Sequence, residues 1–216
     1  MKRILGVLTL AGISLLGSIS PGKSQQLESK SYSADVMTFA AGMAKLPKEF
    51  AGLSRLQNPQ RMGVLYSTGD KKRLELIDPE GDGKTLESIV IIRRDKNVRW
   101  ILYPSQQTYD ETSIKEGKNF VTNVIDGFPG FEGGFDRSMD NLVGTETIDG
   151  QLADKYEGQR ATTYYYRHGT TVLLKVEKII PAFGTEIYES RNIQTGEQSP
   201  DLFEIPEGYK KGKFVS

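Results

Sequence analysis

The stretch Met62–Ile77, MGVLYSTGDKKRLELI, decides the fold because it contains two β-strand patterns separated by a turn. Met62–Thr68 and Lys71–Ile77 each carry alternating residue types, and alternation with a period of two is typical of a half-buried strand. Gly69-Asp70 lies between them, where a two-residue hairpin turn is expected. The stretch therefore predicts an antiparallel hairpin. The residues expected on its shared buried face are Val64, Tyr66, Leu74 and Leu76.

The same pattern recurs along most of the chain. Asp149-Gly150 and His168-Gly169 lie between such runs, at places suited to two-residue turns. So many short strands seldom form a flat sheet, so we expect a curved antiparallel sheet. Two stretches differ: Ala40–Leu53 is typical of a short helix or a loose loop, broken around Pro47, and Ile114–Met139 shows no regular period. The predicted strands are Lys30–Thr38, Met62–Thr68, Lys71–Ile77, Leu86–Ile92, Val98–Tyr103, a brief one at Thr108-Tyr109, Leu142–Ile148, Ala153–Glu157, Thr162–Arg167, Thr171–Ile179 and Thr185–Ile193.

The N-terminus has the layout of a secretory signal. Met1–Arg3 is basic, Ile4–Ile19 is apolar, and Pro21–Gln26 is polar. This order is the one that export signals show. We therefore expect residues 1–24 to be a cleaved signal peptide, residues 25–216 to be a single domain, and the mature protein to be periplasmic. The alternative is a retained N-terminal anchor, since the apolar stretch approaches the length of a membrane span.

Composition narrows the function. The chain has 28 basic and 28 acidic residues, one histidine and no cysteine. No basic cluster is long enough for a nucleic-acid site, and the lack of cysteine excludes disulfides. One histidine, His168, cannot form a metal site with cysteine or a second histidine. We expect no cofactor, no metal and no catalytic residue, hence a protein that is not an enzyme.

Two local matches to known motifs lack the required context. Gly17–Ser24 fits the pattern of a phosphate-binding loop, but it crosses the expected cleavage site and precedes a strand pattern. Asp78–Gly83 resembles the start of a calcium-binding loop, but the twelfth position is Ile89 and not an acid. His168 is interpreted as a hairpin residue. A general base at His168, or a pair of carboxylates, would be required for the remaining alternative, a hydrolase.

Three segments resemble a known family. Gly144–Gly150, followed by Ala153–Glu157, resembles a GxExxxGxxxxKYE signature. Arg99–Pro104 with Tyr109 is similar to a WxLxPxxxxY stretch, and Asp201–Tyr209 to an LFxxPxGY ending. Their order over about residues 31 to 211 resembles exported proteins of the LolA/LolB/LppX-like superfamily, which are outer-membrane lipoprotein-sorting protein-like, and within it an uncharacterised subtype.

The resemblance implies a mainly β, α+β fold. Its sheet is strongly curved and antiparallel and forms an unclosed barrel, with a few short helices covering the concave side. It also implies a non-catalytic binding protein or carrier for a lipid or a lipoprotein acyl chain. The alternative is a structural or protein-interaction module of the envelope, with a filled core and no small ligand. We expect a lipid, an acylated lipoprotein or an envelope protein as partner, and no more than peripheral contact with a membrane.

The predicted ligand-binding lining consists of apolar side chains on the expected concave side. A glycine- and phenylalanine-rich segment is predicted to lie over it, because mobile loops beside a sheet can cover an apolar ligand. The lining residues are Val64, Tyr66, Leu74, Leu76, Trp100, Leu102, Val172, Leu174, Val176, Phe128, Phe131 and Phe135.

Overall fold

The computed structural model describes residues 28, 30–41, 58–78, 83–114, 141–158, 161–180 and 184–212. Within these ranges the chain forms β-strands and two short 3₁₀ helices, Arg94–Lys96 and Pro200–Phe203. The strands are β1 (Tyr32–Ala41), β2 (Gln60–Thr68), β3 (Lys71–Ile77), β4 (Leu86–Arg93), β5 (Val98–Tyr103), β6 (Thr108–Ser113), β7 (Asn141–Ile148), β8 (Gln151–Glu157), β9 (Thr162–Arg167), β10 (Leu173–Ile180), β11 (Gly184–Thr195) and β12 (Lys210–Lys211).

All the strands belong to one 12-stranded sheet, in the order β12-β6-β5-β4-β3-β2-β1-β11-β10-β9-β8-β7. Pairing is antiparallel except that β12 runs parallel to β6. The pairing of β1 with β11 joins two antiparallel meanders, β1 to β6 and β7 to β11. Among the described residues the sheet does not close, and β7 and β12 form its edges. This confirms the predicted fold class, a mainly β antiparallel sheet that forms an unclosed barrel.

Most of the predicted strand positions agree with the structure. Val98–Tyr103 and Thr162–Arg167 coincide with β5 and β9, and the brief strand at Thr108-Tyr109 continues to Ser113. The predicted short helix or loose loop over Ala40–Leu53 is wrong at its start, because β1 continues through Ala41. Its remainder lies outside the described residues, as do the predicted signal peptide, nearly all of Ile114–Met139, and Phe128, Phe131 and Phe135.

Turn residues fix the register of the edge hairpin. Asp149 and Gly150 have φ angles of 46° and 77°. Two successive positive φ angles define a type I′ turn, whose twist suits two antiparallel strands. Ile148 accordingly pairs with Gln151, as the sequence predicted for Asp149-Gly150.

The predicted two-residue turn at His168-Gly169 is wrong. The N–H of Arg167 donates to the carbonyl of Val172 at 2.9 Å, so the connection contains four residues. Asp154 holds this loop from the neighbouring strand. Its carboxylate lies 2.6 Å from Nδ1 of His168 and accepts a hydrogen bond of 2.9 Å from the N–H of Gly169.

Pairing of β2 with β3 assigns the side chains to two faces. Leu65 lies opposite Leu74, whereas Tyr66 lies opposite Arg73. Paired residues share a face, so the prediction that Val64 and Tyr66 share a face with Leu74 and Leu76 is wrong. The two-residue turn requires this register, because Thr68 pairs with Lys71. We call one face the apolar face, defined by Ala34, Val36, Leu65, Leu74 and Val90, and the other the clamp face, defined by Val64, Tyr66, Arg73, Ile91 and Trp100.

Candidate ligand-binding face

The apolar face begins as a row of small and aliphatic side chains across four adjacent strands. Ala34 pairs with Leu65, Leu65 with Leu74, and Leu74 with Val90. Each of these four residues is at most 3% exposed. Such cross-strand neighbours have Cβ atoms about 5 Å apart, so the row is a continuous apolar surface.

Tyrosines continue the apolar face into the second meander. Val176 of β10 pairs with Tyr188 on one side and with Tyr164 on the other. The Tyr164 and Tyr166 rings stack at 6.4 Å, and Tyr156 meets Tyr166 edge-on at 5.8 Å. Tyr164, Tyr166, Val176 and Tyr188 belong to the same buried cluster as Leu65 and Leu74, and Tyr156 packs against it. The apolar face therefore extends without interruption from β4 to β9.

Two tyrosines of the apolar face, Tyr188 and Tyr32, show how buried hydroxyl groups are accommodated there. Burial, followed by the nearby Glu186 carboxylate, raises the pKa of Tyr188, so this phenol remains protonated over the physiological range. The Tyr32 hydroxyl accepts a hydrogen bond of 3.3 Å from the N–H of Leu173. The rings of these tyrosines contribute apolar surface, which is the surface that an acyl chain requires.

The clamp face is charged on β8 to β11. Tyr165 lies between the ammonium groups of Lys155 and Lys175, each 5.5 Å from its ring centre, and its hydroxyl donates to Glu177 at 2.9 Å. Burial raises the pKa of Glu177, but the hydrogen bonds from Lys175 and Tyr165 hold it below its usual value. Such a charged lattice disfavours an apolar ligand, so the apolar face is the better candidate.

On β4 and β5 the C-terminal segment covers the clamp face. Phe203, in the second 3₁₀ helix, is fully buried in a cluster with side chains from both strands. Two buried arginines fix the backbone around it. Arg73 donates to the carbonyl of Leu202 at 3.0 Å, and Arg93 donates to the carbonyl of Phe203 at 3.1 Å. The strand residues that surround Phe203 are Ile89, Ile91, Trp100 and Leu102.

Ion pairs also hold the C-terminal segment on the clamp face. Arg93 contacts both Asp95 and Glu204, and Lys96 donates to Glu204 at 2.9 Å. The hydrogen bond from Arg93 lowers the pKa of Asp95 to about 2. Burial raises the pKa of Glu204, but hydrogen bonds from Lys96 and Arg93 bring it below its usual value. We call Arg73, Arg93, Lys96 and Glu204 the C-terminal clamp.

A polar cleft of about 500 Å³ opens beside the clamp. Its charged groups are already paired. Glu111 accepts hydrogen bonds from the Trp100 indole at 2.9 Å and from Lys211 at 2.7 Å, and Lys96 is bound to Glu204. Within the described ranges no group of three or more acidic or histidine side chains is placed to hold a metal. The cleft is lined by Lys96, Asn97, Val98, Glu111 and Ser113.

His168 has an acidic partner in Asp154, but the pair belongs to the loop between β9 and β10. The His168 side chain is 49% exposed, whereas that of Asp154 is 8% exposed. Because Asp154 also accepts the N–H of Gly169, the pair stabilises the shape of the loop.

The nine predicted lining residues within the described ranges lie on both faces of the sheet. Leu74, Leu76, Val172, Leu174 and Val176 belong to the larger cluster that includes the apolar face. Val64 and Tyr66 are on the clamp face, while Trp100 and Leu102 pack around Phe203. These nine residues therefore do not form one lining, and the ligand-binding role of the whole set stays a prediction.

Several residues of the apolar face were missed. The two-residue turn at Gly69-Asp70 would have placed Leu65 opposite Leu74. In β4, the run Ile89–Ile92 is apolar on both faces, so its sequence could not show that Val90 and Ile92 lie on the apolar face. The missed residues of the larger cluster include Tyr32, Ala34, Val36, Leu65, Val90, Ile92 and Tyr188.

Comparison with known proteins shows likeness of fold. Neither a protein-family model nor a curated protein matches the chain. An uncharacterized conserved protein from Thermus thermophilus aligns with a TM-score of 0.50 and 10% identity, over 85% of this chain and 90% of that one. PNGF-II aligns with a TM-score of 0.48 and 11% identity, over 86% of this chain but 31% of its own.

The solved structures that match also include a LolA superfamily protein from Nitrosomonas europaea. It aligns with a TM-score of 0.40 and 10% identity, over 83% of this chain and 93% of that one. A member of the superfamily that the three sequence segments resemble is thus among the matching structures. No helix in the described ranges has the length and apolar character needed to cross a membrane.

Proposed function

We propose that this chain is an exported, non-catalytic binding protein or carrier for a lipid or a lipoprotein acyl chain, held against the apolar face. The observation that supports it is the continuity of that face from Val90 on β4 to Tyr164 on β9, on one side of an unclosed sheet. A long acyl chain needs a long, uncharged surface, because each buried CH₂ contributes about 0.8 kcal/mol.

The compartment is part of the same proposal. Residues 1–24 direct export and are cleaved, and residues 25–216 act as a single domain in the periplasm. A periplasmic carrier shields acyl chains from water between two membranes, and this task requires apolar surface and no reactive group. The absence of cysteine from the sequence is compatible with this role.

A test uses a fluorescent long-chain fatty acid as probe. We expect saturable binding to the purified mature protein. Ala34→Leu adds side-chain volume to the middle of the apolar face and should weaken binding at least fivefold. Ser33→Leu is the matched control, because Ser33 pairs with Tyr66 and so lies on the clamp face. A folded protein that neither binds the probe nor carries lipid when purified would refute the proposal.

The alternative is an envelope module whose core is already filled. The observation in its favour is the burial of the apolar face, since Leu74 and Val176 are both 0% exposed. In that case the protein would not bind the probe, and the larger side chain of Ala34→Leu would only lower its stability. A stoichiometric protein partner purified without lipid would favour this alternative.

A further inference from the structure

Strand β7 is exposed along nearly its whole length. Seven of its eight residues are exposed. Leu142 and Val143 are 59% and 46% exposed, and Leu152 on the adjacent β8 is 49% exposed. Three of the four exposed large hydrophobic side chains in the described ranges therefore lie on this one hairpin, the fourth being Ile179.

The sequence of β7 has little protection against pairing with another strand. Edge strands of soluble proteins are usually blocked by lysine, proline, a covering segment or a bulge. β7 reads NLVGTETI, with neither lysine nor proline and with one charge, Glu146. It has a bulge between Leu142 and Gly144, and no strand lies beyond it in the described ranges. From Gly144 to Ile148 no strand of the described ranges pairs with its outer backbone.

Backbone geometry defines which groups are available. Ile148 and Gln151 close the two-residue turn, so they form a hydrogen-bonded pair. Because such pairs alternate along an antiparallel ladder, Glu146 also directs its backbone groups toward β8. Thr145 and Thr147 therefore direct their N–H and C=O groups outward, where a further strand would receive them.

We propose that β7 pairs antiparallel with β7 of a second copy of this chain, about a two-fold axis at Thr145. In this register Thr145 faces its own equivalent in a hydrogen-bonded pair. Glu146 faces Gly144, so the only charge of the strand does not meet its like. This self-complementarity distinguishes a second copy from an unrelated strand, because like charges directly opposite each other are destabilising.

The same pairing would cover part of the exposed apolar surface. Leu142 and Val143 lie beside the two-fold axis, and Leu152 pairs with Thr147 on the adjacent strand. Two copies would form one continuous 24-stranded sheet while leaving each apolar face as it is. The inference is therefore independent of the proposed lipid-binding function, and either can fail alone.

A single thiol tests the register. The chain contains no cysteine, so Thr145→Cys introduces the only one. Residues in a hydrogen-bonded antiparallel pair have Cα atoms about 5.5 Å apart, which is within disulfide range. We expect mild oxidation to convert Thr145→Cys into a disulfide-linked dimer. Ile179→Cys, at an exposed position on β10, is the matched control and should remain monomeric on a denaturing gel.

Sedimentation of the unmodified protein gives the second measurement. We expect a reversible dimer, with its dissociation constant raised at least tenfold by Thr145→Pro, which removes an outward N–H at an edge position that tolerates proline. Ile179→Lys should leave the dimer unchanged. A monomer at the highest soluble concentration would overturn the proposal. Equal cross-linking of Thr145→Cys and Ile179→Cys would also overturn it. The same holds if the protein is monomeric and its β7 edge binds an unrelated strand peptide.

Discussion

At the β6 edge of the sheet the chain adds a strand of its own, whereas at the β7 edge the described residues add none. β12 contributes Lys210 and Lys211 beside Thr108 and Tyr109, and the segment that leads to it covers the clamp face. At the other edge Leu142 and Val143 are exposed. The same sheet thus has one edge built for stability within the chain and another suited to association. Substitutions at the two edges should therefore affect different measurements.

The largest expected effect is that of Phe203→Ala. Phe203 is 0% exposed in the cluster on the clamp face, and truncating a buried phenylalanine costs about 3–5 kcal/mol. Urea unfolding should show this loss in the free energy of unfolding. Leu142→Ala at the open edge is the comparison, with an expected change within about 0.5 kcal/mol. Equal losses in the two variants would show that the edges do not differ in this way.

A smaller loss is expected for Arg93→Met. Methionine retains much of the apolar stem but leaves the Phe203 carbonyl and the Glu204 carboxylate without this donor. Removing a buried hydrogen-bond partner costs about 2 kcal/mol. Urea unfolding should detect the change, and limited proteolysis should show earlier cleavage near the C-terminus.

Arg191→Met is the matched control for Arg93→Met. Arg191 pairs with Glu189 through a side chain that is 47% exposed, and exposed pairs contribute less than about 1 kcal/mol. If Arg191→Met were as destabilising as Arg93→Met, the backbone contacts of Arg93 would not account for its effect.

The two hairpins that contain two-residue turns show how far the sequence could predict this fold. Thr68 pairs with Lys71 and Ile148 pairs with Gln151, each across a turn that the sequence identified. Local alternation and turn chemistry act over a few residues, so the strands and their neighbours in each meander follow from them. Apolar character alone did not show on which face of the sheet Tyr66 lies, because side chains on both faces of β2 are partly buried.

The sequence could not predict the C-terminal clamp, because the residues that are in contact lie far apart along the chain. Arg73 and Leu202 are 129 positions apart, and Arg93 and Phe203 are 110 positions apart. A buried arginine that donates to a backbone carbonyl has no local pattern, since its partner is set by the return of the C-terminal segment to the sheet.

Acid should loosen the clamped edge before it affects the open one, and this is the smallest effect that we expect. The pKa of Asp95 is lowered to about 2, and hydrogen bonds from Lys211 and Trp100 lower the pKa of Glu111. A carboxyl group whose pKa is lowered by folding stabilises the fold at pH values above its ordinary pKa. That contribution is lost as the pH falls through the pKa of the folded state. The window therefore runs from about pH 4.5, the ordinary value for glutamate, down to about pH 2.

Trp100 is the only tryptophan and donates to Glu111, so its fluorescence reports on this edge. We expect its emission to shift to longer wavelength across that window while the far-UV circular dichroism of the sheet stays constant. In Arg93→Met the part of the change that depends on Asp95 and Glu204 is absent, so the transition should be shallower. Emission that stays constant down to pH 2, or a transition with the same slope in Arg93→Met, would show that these ion pairs do not hold the C-terminal segment.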